Sequence, residues 1–436
     1  MLSPRSIGLM LVSMLVLSGG QPALLWGQRA SPDHTLQLYQ QLLQRNPLNT
    51  AAYYRLGDAY IQRARETGDM TYLNLAEQAL RKAIDIAPQH SGALRHLAYA
   101  LYTRHAFAEA AIQAAKAVEL DPSDSHAYGI LGDAYLEVGK YMEAQHAYER
   151  MTQLRGDLYS YSRLSGLKSL QGDAHGAIAD LKQAIEAGQA HGHPSESMAW
   201  VLWQLGNEHF ALGYLSEAET NYLEALHTFP NYYRASAGLA QVRAAQQRYA
   251  EAIELYQKAT AVIPLPDYAA ALGDVYTKMG RAEDAQKQYD LVAYIGDLNT
   301  LNKVLYNREL AYFYADHDTK LHEALDLAKK ELEVRRDIYA YDVLAWTLQK
   351  NGKPHEALMA MTEALKMGTK DARLFFHAGM IYHHLGESGK AREYLQRALA
   401  TNPYFHLLHV DVADRTLKEL ERDLDLADTQ EACDAP

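Results

Sequence analysis

Small apolar residues recur along this chain at fixed distances from one another. The motif Leu-Gly-Asp-x-Tyr occurs three times, at residues 56–60, 131–135 and 272–276. From Gly132 in the second copy, Ala144 follows 12 residues later and Tyr148 follows 16 residues later. Glycine and alanine in such positions let two helix backbones pack closely, while larger residues fill the seams between pairs. The pattern predicts paired helices rather than strands.

Ten positions can serve as equivalent anchors of this repeat: Gly57, Ala98, Gly132, Ser165, Gly206, Ala240, Gly273, Ala311, Ala345 and Gly379. Six of the nine spacings between them fall within one residue of 34, which chance does not produce. Prolines that stop a helix close several units, at Pro88, Pro122, Pro230, Pro264 and Pro403. We therefore expect about ten helix-turn-helix units.

A unit of this length and composition resembles the tetratricopeptide repeat. The resemblance covers about residues 51–403 and implies an all-α fold, a right-handed α-solenoid of about ten repeats. No unit of this kind buries its apolar face alone, so stacking supplies one continuous core. We expect residues 31–50 to form an N-terminal capping helix, 404–427 to form C-terminal capping helices, and 428–436 to be a disordered tail.

The N-terminal residues have the composition of an export signal. Arg5 precedes an apolar stretch, residues 7–17, which is followed by Ser18, Gly19 and Gly20. We expect residues 1–30 to be a signal peptide and the mature protein to be periplasmic or secreted. An uncleaved N-terminal anchor is the alternative, because apolar character resumes at residues 23–26. No membrane insertion of the mature chain is expected.

Charge and cysteine content narrow the classes of partner. The formal net charge of the 436 residues is −12, and without the leader it becomes −14, from 40 basic and 54 acidic residues. An acidic chain without a basic cluster is not expected to bind nucleic acid. Cys433 is the only cysteine, so no internal disulfide forms.

In the tetratricopeptide family, the first helix of each unit lines a concave groove. The resemblance implies that positions −6, −3, +1 and +4 from each anchor face it. The residues predicted to bind a partner there are Tyr54, Asp58, Arg95, Tyr99, Tyr102, Trp200, Trp203, Asn207, Phe210, Arg308, Tyr312, Tyr339, Trp346, Arg373 and Phe376. Tryptophan, tyrosine and arginine dominate binding energies at interfaces. Trp200 and Trp203 could instead pack against the loop at 191–197. The Lys, Asn and Arg clamp of chaperone-binding family members is missing here.

No catalytic or metal-binding pattern stands out from the sequence. A helical zinc site requires two histidines four residues apart, and no pair of histidines in the three nearest groups has that spacing. The groups are His191 with His193, His383 with His384, and Asp316 to Asp318 with His322. No phosphate-binding loop or nucleophile elbow is present. We expect no catalytic residue, metal or cofactor.

The leading hypothesis is a non-catalytic scaffold that binds a protein or peptide segment in the groove. A competing class is an accessory subunit that anchors an enzyme or a membrane transport assembly. A metal or small-ligand carrier is a weaker alternative.

Overall fold

The computed structural model describes residues 32–302, except 68 and 70, and residues 307–434. Helices are the only regular structure within these ranges. The twenty-two described helices are α1 (Pro32–Arg45), α2 (Thr50–Thr67), α3 (Thr71–Ile86), α4 (Ser91–Thr103), α5 (Phe107–Leu120), α6 (Ser125–Glu137), α7 (Tyr141–Leu154), α8 (Leu158–Leu170), α9 (Ala174–His191), α10 (Ser195–Ala211), α11 (Leu215–Thr228), α12 (Tyr233–Ala245), α13 (Tyr249–Val262), α14 (Pro266–Lys278), α15 (Ala282–Asn302), α16 (Asn307–Asp316), α17 (Leu321–Val334), α18 (Ile338–Lys350), α19 (Pro354–Leu365), α20 (Ala372–His384), α21 (Ser388–Thr401) and α22 (His409–Asp434).

Helices α2 to α21 form ten consecutive pairs, which we number units one to ten. The first helix of each pair packs on its own second helix, and the first helices also contact one another along the stack. The first helices therefore form the inner layer, and the second helices form the outer layer. The predicted all-α solenoid of about ten repeats is confirmed.

Close packing between units depends on glycine facing a tyrosine ring. Tyr222 on α11 is fully buried, and its ring lies between Gly206 and Gly238. A Cβ atom added at Gly206 would come within 2.5 Å of that ring, and one at Gly238 within 2.6 Å. The Tyr222 hydroxyl donates a hydrogen bond to Asn207 at 2.8 Å. The glycine anchors are thus positions where a large side chain of the second helix fits, a tyrosine ring at Gly132, Gly206 and Gly273 and a leucine at Gly57 and Gly379.

The two ends of the stack are covered by additional helices. Helix α1 packs on α2, where Leu36 is buried and Gln40 donates to the Tyr60 hydroxyl at 3.1 Å. Helix α22 packs on α21 and continues to Asp434, further than the expected end of the cap at 427. No glycine or proline interrupts residues 409–434, which explains the longer helix. The expected signal peptide, residues 1–30, lies outside the described residues.

The superhelix contacts itself after slightly less than six units. The backbone N–H of Arg336 donates to the Glu137 carbonyl at 2.8 Å, across 199 residues of sequence. One unit further along each turn, the Thr369 hydroxyl donates to the Leu170 carbonyl. The last contact of the series joins the Asn402 side-chain amide to the Phe210 carbonyl at 2.8 Å. We call these three contacts the inter-turn ladder.

Glycine is required where the ladder brings backbones together. Gly139 and Gly172 end the turns inside units three and four, with φ values of +76° and +77°. A Cβ atom at Gly172 would lie 2.4 Å from the Gly368 carbonyl oxygen. Units two and six place His105 and Gln247 at the equivalent left-handed position, with φ values of 62° and 59°. Glycine therefore serves two purposes in the ladder, backbone conformation and close approach.

We expect Gly172→Ala to lower the free energy of unfolding by about 3 kcal/mol, from left-handed strain of about 1 kcal/mol plus the clash with the facing turn. Gly352→Ala is the matched control, because Gly352 has a φ of +72° with no atom within 4 Å of an added Cβ. Gly352→Ala should lower the free energy of unfolding by only about 1 kcal/mol. Urea unfolding of both variants measures the difference. Equal losses would show that the ladder adds nothing to stability.

Candidate functional site: the concave surface

The inward faces of the first helices of the ten units form one continuous concave surface. Its first part holds three predicted residues in polar contacts. The Tyr54 ring centre lies 4.9 Å from that of His90. Asp58 lies 3.2 Å from the His96 ring, and that hydrogen bond lowers the pKa of the Asp58 carboxyl. Arg95 pairs with Asp124 at 2.8 Å.

Tyr99 and Tyr102 follow on α4, both half-buried. The ring of Tyr99 packs against the buried clusters of the first three units. The Tyr102 hydroxyl donates to Glu137 at 3.1 Å, and burial raises the pKa of Tyr102 well above its ordinary value. Glu137 in turn pairs with Arg335 of the next turn. Tyr102 therefore supports the inter-turn ladder as well as lining the surface.

Helix α10 supplies the aromatic centre of the surface. Trp200 and Trp203 are half-buried and pack against the apolar residues of units five and six. Asn207 accepts the hydrogen bond of Tyr222, so its oxygen is engaged. Phe210 is only 7% exposed and belongs to the core between α10 and α12. The expectation that Phe210 is an exposed ring of the groove is wrong, because the ring is buried in the apolar cluster with Tyr222 and Leu239.

Arg234 is a concave-surface residue that was not among the predicted ones. Its guanidinium lies 5.2 Å from the ring centres of both Trp203 and Tyr233. Among the residues that the structure describes, no carboxylate forms an ion pair with Arg234. Its offset of −6 from Ala240 is one of the four inward positions, so the pattern itself could have found it.

The remaining predicted residues line the last three units and contact one another. Arg308 pairs with Asp337 at 3.2 Å. The Tyr312 hydroxyl donates to Asp342 at 2.6 Å and to the Tyr339 carbonyl at 3.2 Å. The Arg373 guanidinium lies 4.4 Å from the Tyr312 ring centre. This half of the surface is thus already bound into an internal polar network.

Residues 402–409, which we call the closing segment, cross this second half of the concave surface. The His406 imidazole lies 3.9 Å from both Asp274 and Asp316, and Leu407 packs on the apolar cluster of units six and seven. His409 stacks on Phe376 with ring centres 4.8 Å apart. With the Asn402 contact to Phe210, the segment therefore touches units five to eight and unit ten.

Tyr312, Trp346 and Phe376 are buried, with exposures of 8%, 3% and 1%. The Trp346 indole donates to Asp316 at 2.7 Å. The sequence pattern could not show that these rings are covered by the chain's own closing segment and by neighbouring side chains. A partner reaching them would have to displace that cover.

Glu208, at the edge of the concave surface, is a half-buried carboxylate near another acid. It accepts a hydrogen bond from the Ser169 hydroxyl at 3.1 Å. Burial raises the pKa of Glu208 to about 7; the hydrogen bond from Ser169 opposes this rise, and the charge of Asp371 adds a smaller increase. Its ionised form is therefore unfavourable in the folded protein.

Comparison with known proteins agrees with this architecture. A tetratricopeptide repeat family model matches residues 73–125, 204–269 and 343–404, and a second one matches residues 114–146. These segments of the chain are tetratricopeptide repeats. Members of this family are in general non-catalytic interaction scaffolds, and the protein-interaction class predicted from the sequence is supported to that extent.

Individual relatives are distant. Human protein O-mannosyl-transferase TMTC1 is 28% identical over 186 residues, which are 40% of this chain and 20% of that protein. The chain thus spans about a fifth of the length of this curated relative. A human IFIT1 dimer with PPP-AAAA has a TM-score of 0.50 at 16% identity, covering 77% of each chain. The Pseudomonas aeruginosa pilF structure has a TM-score of 0.39 at 17% identity, covering 45% of this chain and 88% of that one.

None of the described helices combines the length and the apolar character needed to cross a membrane.

The raised pKa of Glu208 predicts a pH-dependent stability difference. The folded state binds the Glu208 proton more tightly than the unfolded state, so stability falls as pH rises from about 4.5 to about 7. We expect Glu208→Gln to be more stable than the wild type by about 1–2 kcal/mol at pH 8 and by little at pH 4. Unfolding at several pH values measures this. Glu224→Gln, at an exposed position on α11, is the control, and its unfolding free energy should differ from that of the wild type by the same amount at every pH. If the difference for Glu208→Gln is also independent of pH, the raised pKa assigned to Glu208 is wrong.

Proposed function

We propose that this protein is a scaffold that binds an extended protein or peptide segment on the concave surface of units five and six. The observation that carries this proposal is the cluster of Trp200, Trp203, Tyr233 and Arg234. These side chains are half-buried, and Trp200, Trp203 and Arg234 stand at inward offsets of the repeat. The closing segment touches units five and six through Asn402, on the Phe210 carbonyl, and through Leu407, on the apolar cluster of units six and seven, but none of its described contacts is with Trp200, Trp203 or Arg234. Large aromatic rings and arginine at such a place are the residue types that dominate binding energy.

Arg234 suggests the polar part of the recognised segment. Its guanidinium is stacked between Trp203 and Tyr233 and has no ion-pair partner among the described carboxylates. A carboxylate of a bound peptide would form a charge-assisted hydrogen bond there, next to apolar rings that accept an apolar side chain. A segment with an acidic residue beside an aromatic or aliphatic one fits this surface best.

The rival possibility, an accessory subunit that anchors an enzyme or a membrane transport assembly, uses the same surface. The identity of a bound partner distinguishes the two. Proteins that copurify from the native source, with and without a substitution at Trp203, would therefore separate them. Binding of nucleic acid is not part of the proposal, because the chain is acidic.

We propose further that the protein is exported. The support is the charged and apolar pattern of residues 5–20 in the sequence.

The export proposal predicts that the mature chain begins between Gln21 and Ser31. N-terminal sequencing of protein isolated from the native source measures this directly. An intact Met1 on soluble protein from inside the cell would contradict cleavage. A full-length chain recovered only with membranes would favour the uncleaved anchor instead.

We expect Trp203→Ala to weaken partner binding by about 2 kcal/mol, or roughly 30-fold, because a ring at the centre of the contact is lost. The partner captured from the native source and then purified serves as the ligand for calorimetry. Tyr294→Ala, which removes a 60% exposed ring on an outer helix, is the matched control and should leave binding unchanged.

Stability measurements separate a binding role from a core role. Trp203→Ala should change the unfolding free energy far less than Tyr222→Ala, which removes a fully buried ring and should cost about 3 kcal/mol or more. A large stability loss in Trp203→Ala, with unchanged binding per folded molecule, would show that Trp203 belongs to the core.

A further inference from the structure

The start of α22 brings together three side chains with metal-binding atoms. They are Asp316 at the end of α16, His377 on α20 and His409 at the first position of α22. One carboxylate oxygen and one nitrogen from each imidazole lie within 4.8 Å of one another. The three residues come from separate elements, so only the folded chain with its closing segment assembles them.

His377 is oriented by a carboxylate on its far side. Its Nδ1 lies 2.8 Å and 3.1 Å from the two oxygens of Asp342, which also accepts the Tyr312 hydroxyl at 2.6 Å. Nδ1 therefore donates to Asp342, and Nε2 is the ring nitrogen left to act as a ligand. Both His377 and Asp342 are fully buried, and Nε2 has no hydrogen-bond partner. A histidine held in this way by a carboxylate is the usual arrangement of a metal ligand.

His409 provides a second buried imidazole. It is 5% exposed, its Nδ1 has no hydrogen-bond partner, and its Nε2 lies 3.8 Å from Asp316. The ring is held between Phe376 and His406, with centre distances of 4.8 Å and 4.1 Å. Buried nitrogen atoms without partners are costly, and this cluster holds two of them, His377 Nε2 and His409 Nδ1.

Asp316 and His406 complete the surroundings. Asp316 accepts the Trp346 indole N–H at 2.7 Å, which fixes the carboxylate while leaving acceptor capacity. His406 differs from the other two histidines, because its Nδ1 accepts the backbone N–H groups of Leu408 and His409 at 3.2 Å and 3.3 Å. Its proton therefore sits on Nε2, which faces Asp274 and Asp316. His406 directs this N–H toward the two carboxylates and has no lone pair to offer an ion.

We propose that Asp316, His377 and His409 bind one divalent transition-metal ion, with zinc the best match. Two imidazole nitrogens and a carboxylate oxygen form a donor set typical of zinc, with bond lengths of about 2.0–2.2 Å. Donor atoms around a tetrahedral ion with such bonds lie about 3.4 Å apart. The observed separations of up to 4.8 Å therefore require the three groups to approach one another by up to about 1.4 Å when the ion binds. Water or a group from a ligand supplies the remaining positions.

The ion would fasten the closing segment to the inside of the superhelix. His409 belongs to the C-terminal helix, whereas Asp316 and His377 belong to units eight and ten. Metal binding therefore couples the position of α22 to the packing of the last three units. Removing the ion should loosen α22 without unfolding units one to six, which do not contact the site.

The proposal can be tested with full-length protein purified without a histidine tag and treated with a chelator. Calorimetry with Zn²⁺ alone should give one site with a Kd of about 1 µM or tighter. His377→Gln and His409→Gln should each weaken Zn²⁺ binding at least about 100-fold, because each removes a ligand. Asp342→Asn should weaken it about 10–100-fold, because Asp342 orients His377 and does not touch the ion. The double substitution of the exposed His383 and His384 to glutamine, on the same helix, is the matched control and should bind like the wild type.

A second readout keeps the three proposed ligands unchanged, so it does not depend on the folding of variants that lack a ligand. The Trp346 ring lies 4.3 Å from that of His377, so Co²⁺ in the site should quench Trp346 fluorescence and give the visible spectrum of a mixed nitrogen–oxygen site. Trp346→Phe should remove the quenching that Co²⁺ causes. Zinc should also slow hydrogen exchange in α22.

Absence of Zn²⁺ and Co²⁺ binding to the wild type at about 100 µM would overturn the proposal, leaving a cluster bridged by hydrogen bonds. Undiminished binding in folded His377→Gln and His409→Gln variants would also overturn it, and would place the ion at another histidine group. These outcomes are independent of partner binding at Trp203, so failure of one proposal leaves the other intact.

Discussion

The inter-turn ladder is the constraint on which the rest of this structure depends. A solenoid whose units contact only their neighbours is held together locally, and small changes at each joint add up along its length. Here the turns of units three to five meet the loops of units eight to ten, across about 200 residues of sequence. This fixes the superhelical rise and so encloses the concave surface. Arg335, paired with Glu137 and Glu331, is buried within that contact and makes it polar as well as close.

Closure divides ten similar units into two environments. In units five and six, Trp203 and Arg234 remain half-buried. The Arg234 guanidinium lies over the Trp203 ring and forms no ion pair with a carboxylate of the described residues. In units eight to ten, the equivalent inward positions hold Tyr312, Trp346 and Arg373 in a network completed by the closing segment. The repeat pattern gives these positions the same offsets, whereas the structure engages those of units eight to ten in internal contacts and leaves Trp203 and Arg234 for the binding proposed above.

The repeat could be predicted from the sequence because its cause is local. Gly206 and Tyr222 pack within one unit, so a fixed offset along the chain records their contact. The ladder could not be predicted in this way, since Gly172 and Gly368 are far apart and no spacing links them. The same limit applies to the metal-binding candidates. A spacing rule applies only to histidines that are neighbours in the sequence. It therefore cannot identify His377 and His409, which the fold brings together with Asp316.

Hydrogen bonding distinguishes the histidines that serve structure from those that are free to bind a ligand. His317 uses both ring nitrogens, one on the Phe313 carbonyl and one on Asp274, so it has no lone pair to offer. His406 directs its only acceptor atom toward the backbone that begins α22. His377 is alone among these three in keeping a nitrogen without a partner, after a carboxylate has fixed its proton on the other side. In a chain rich in histidine, the arrangement of protons identifies the site better than the number of rings does.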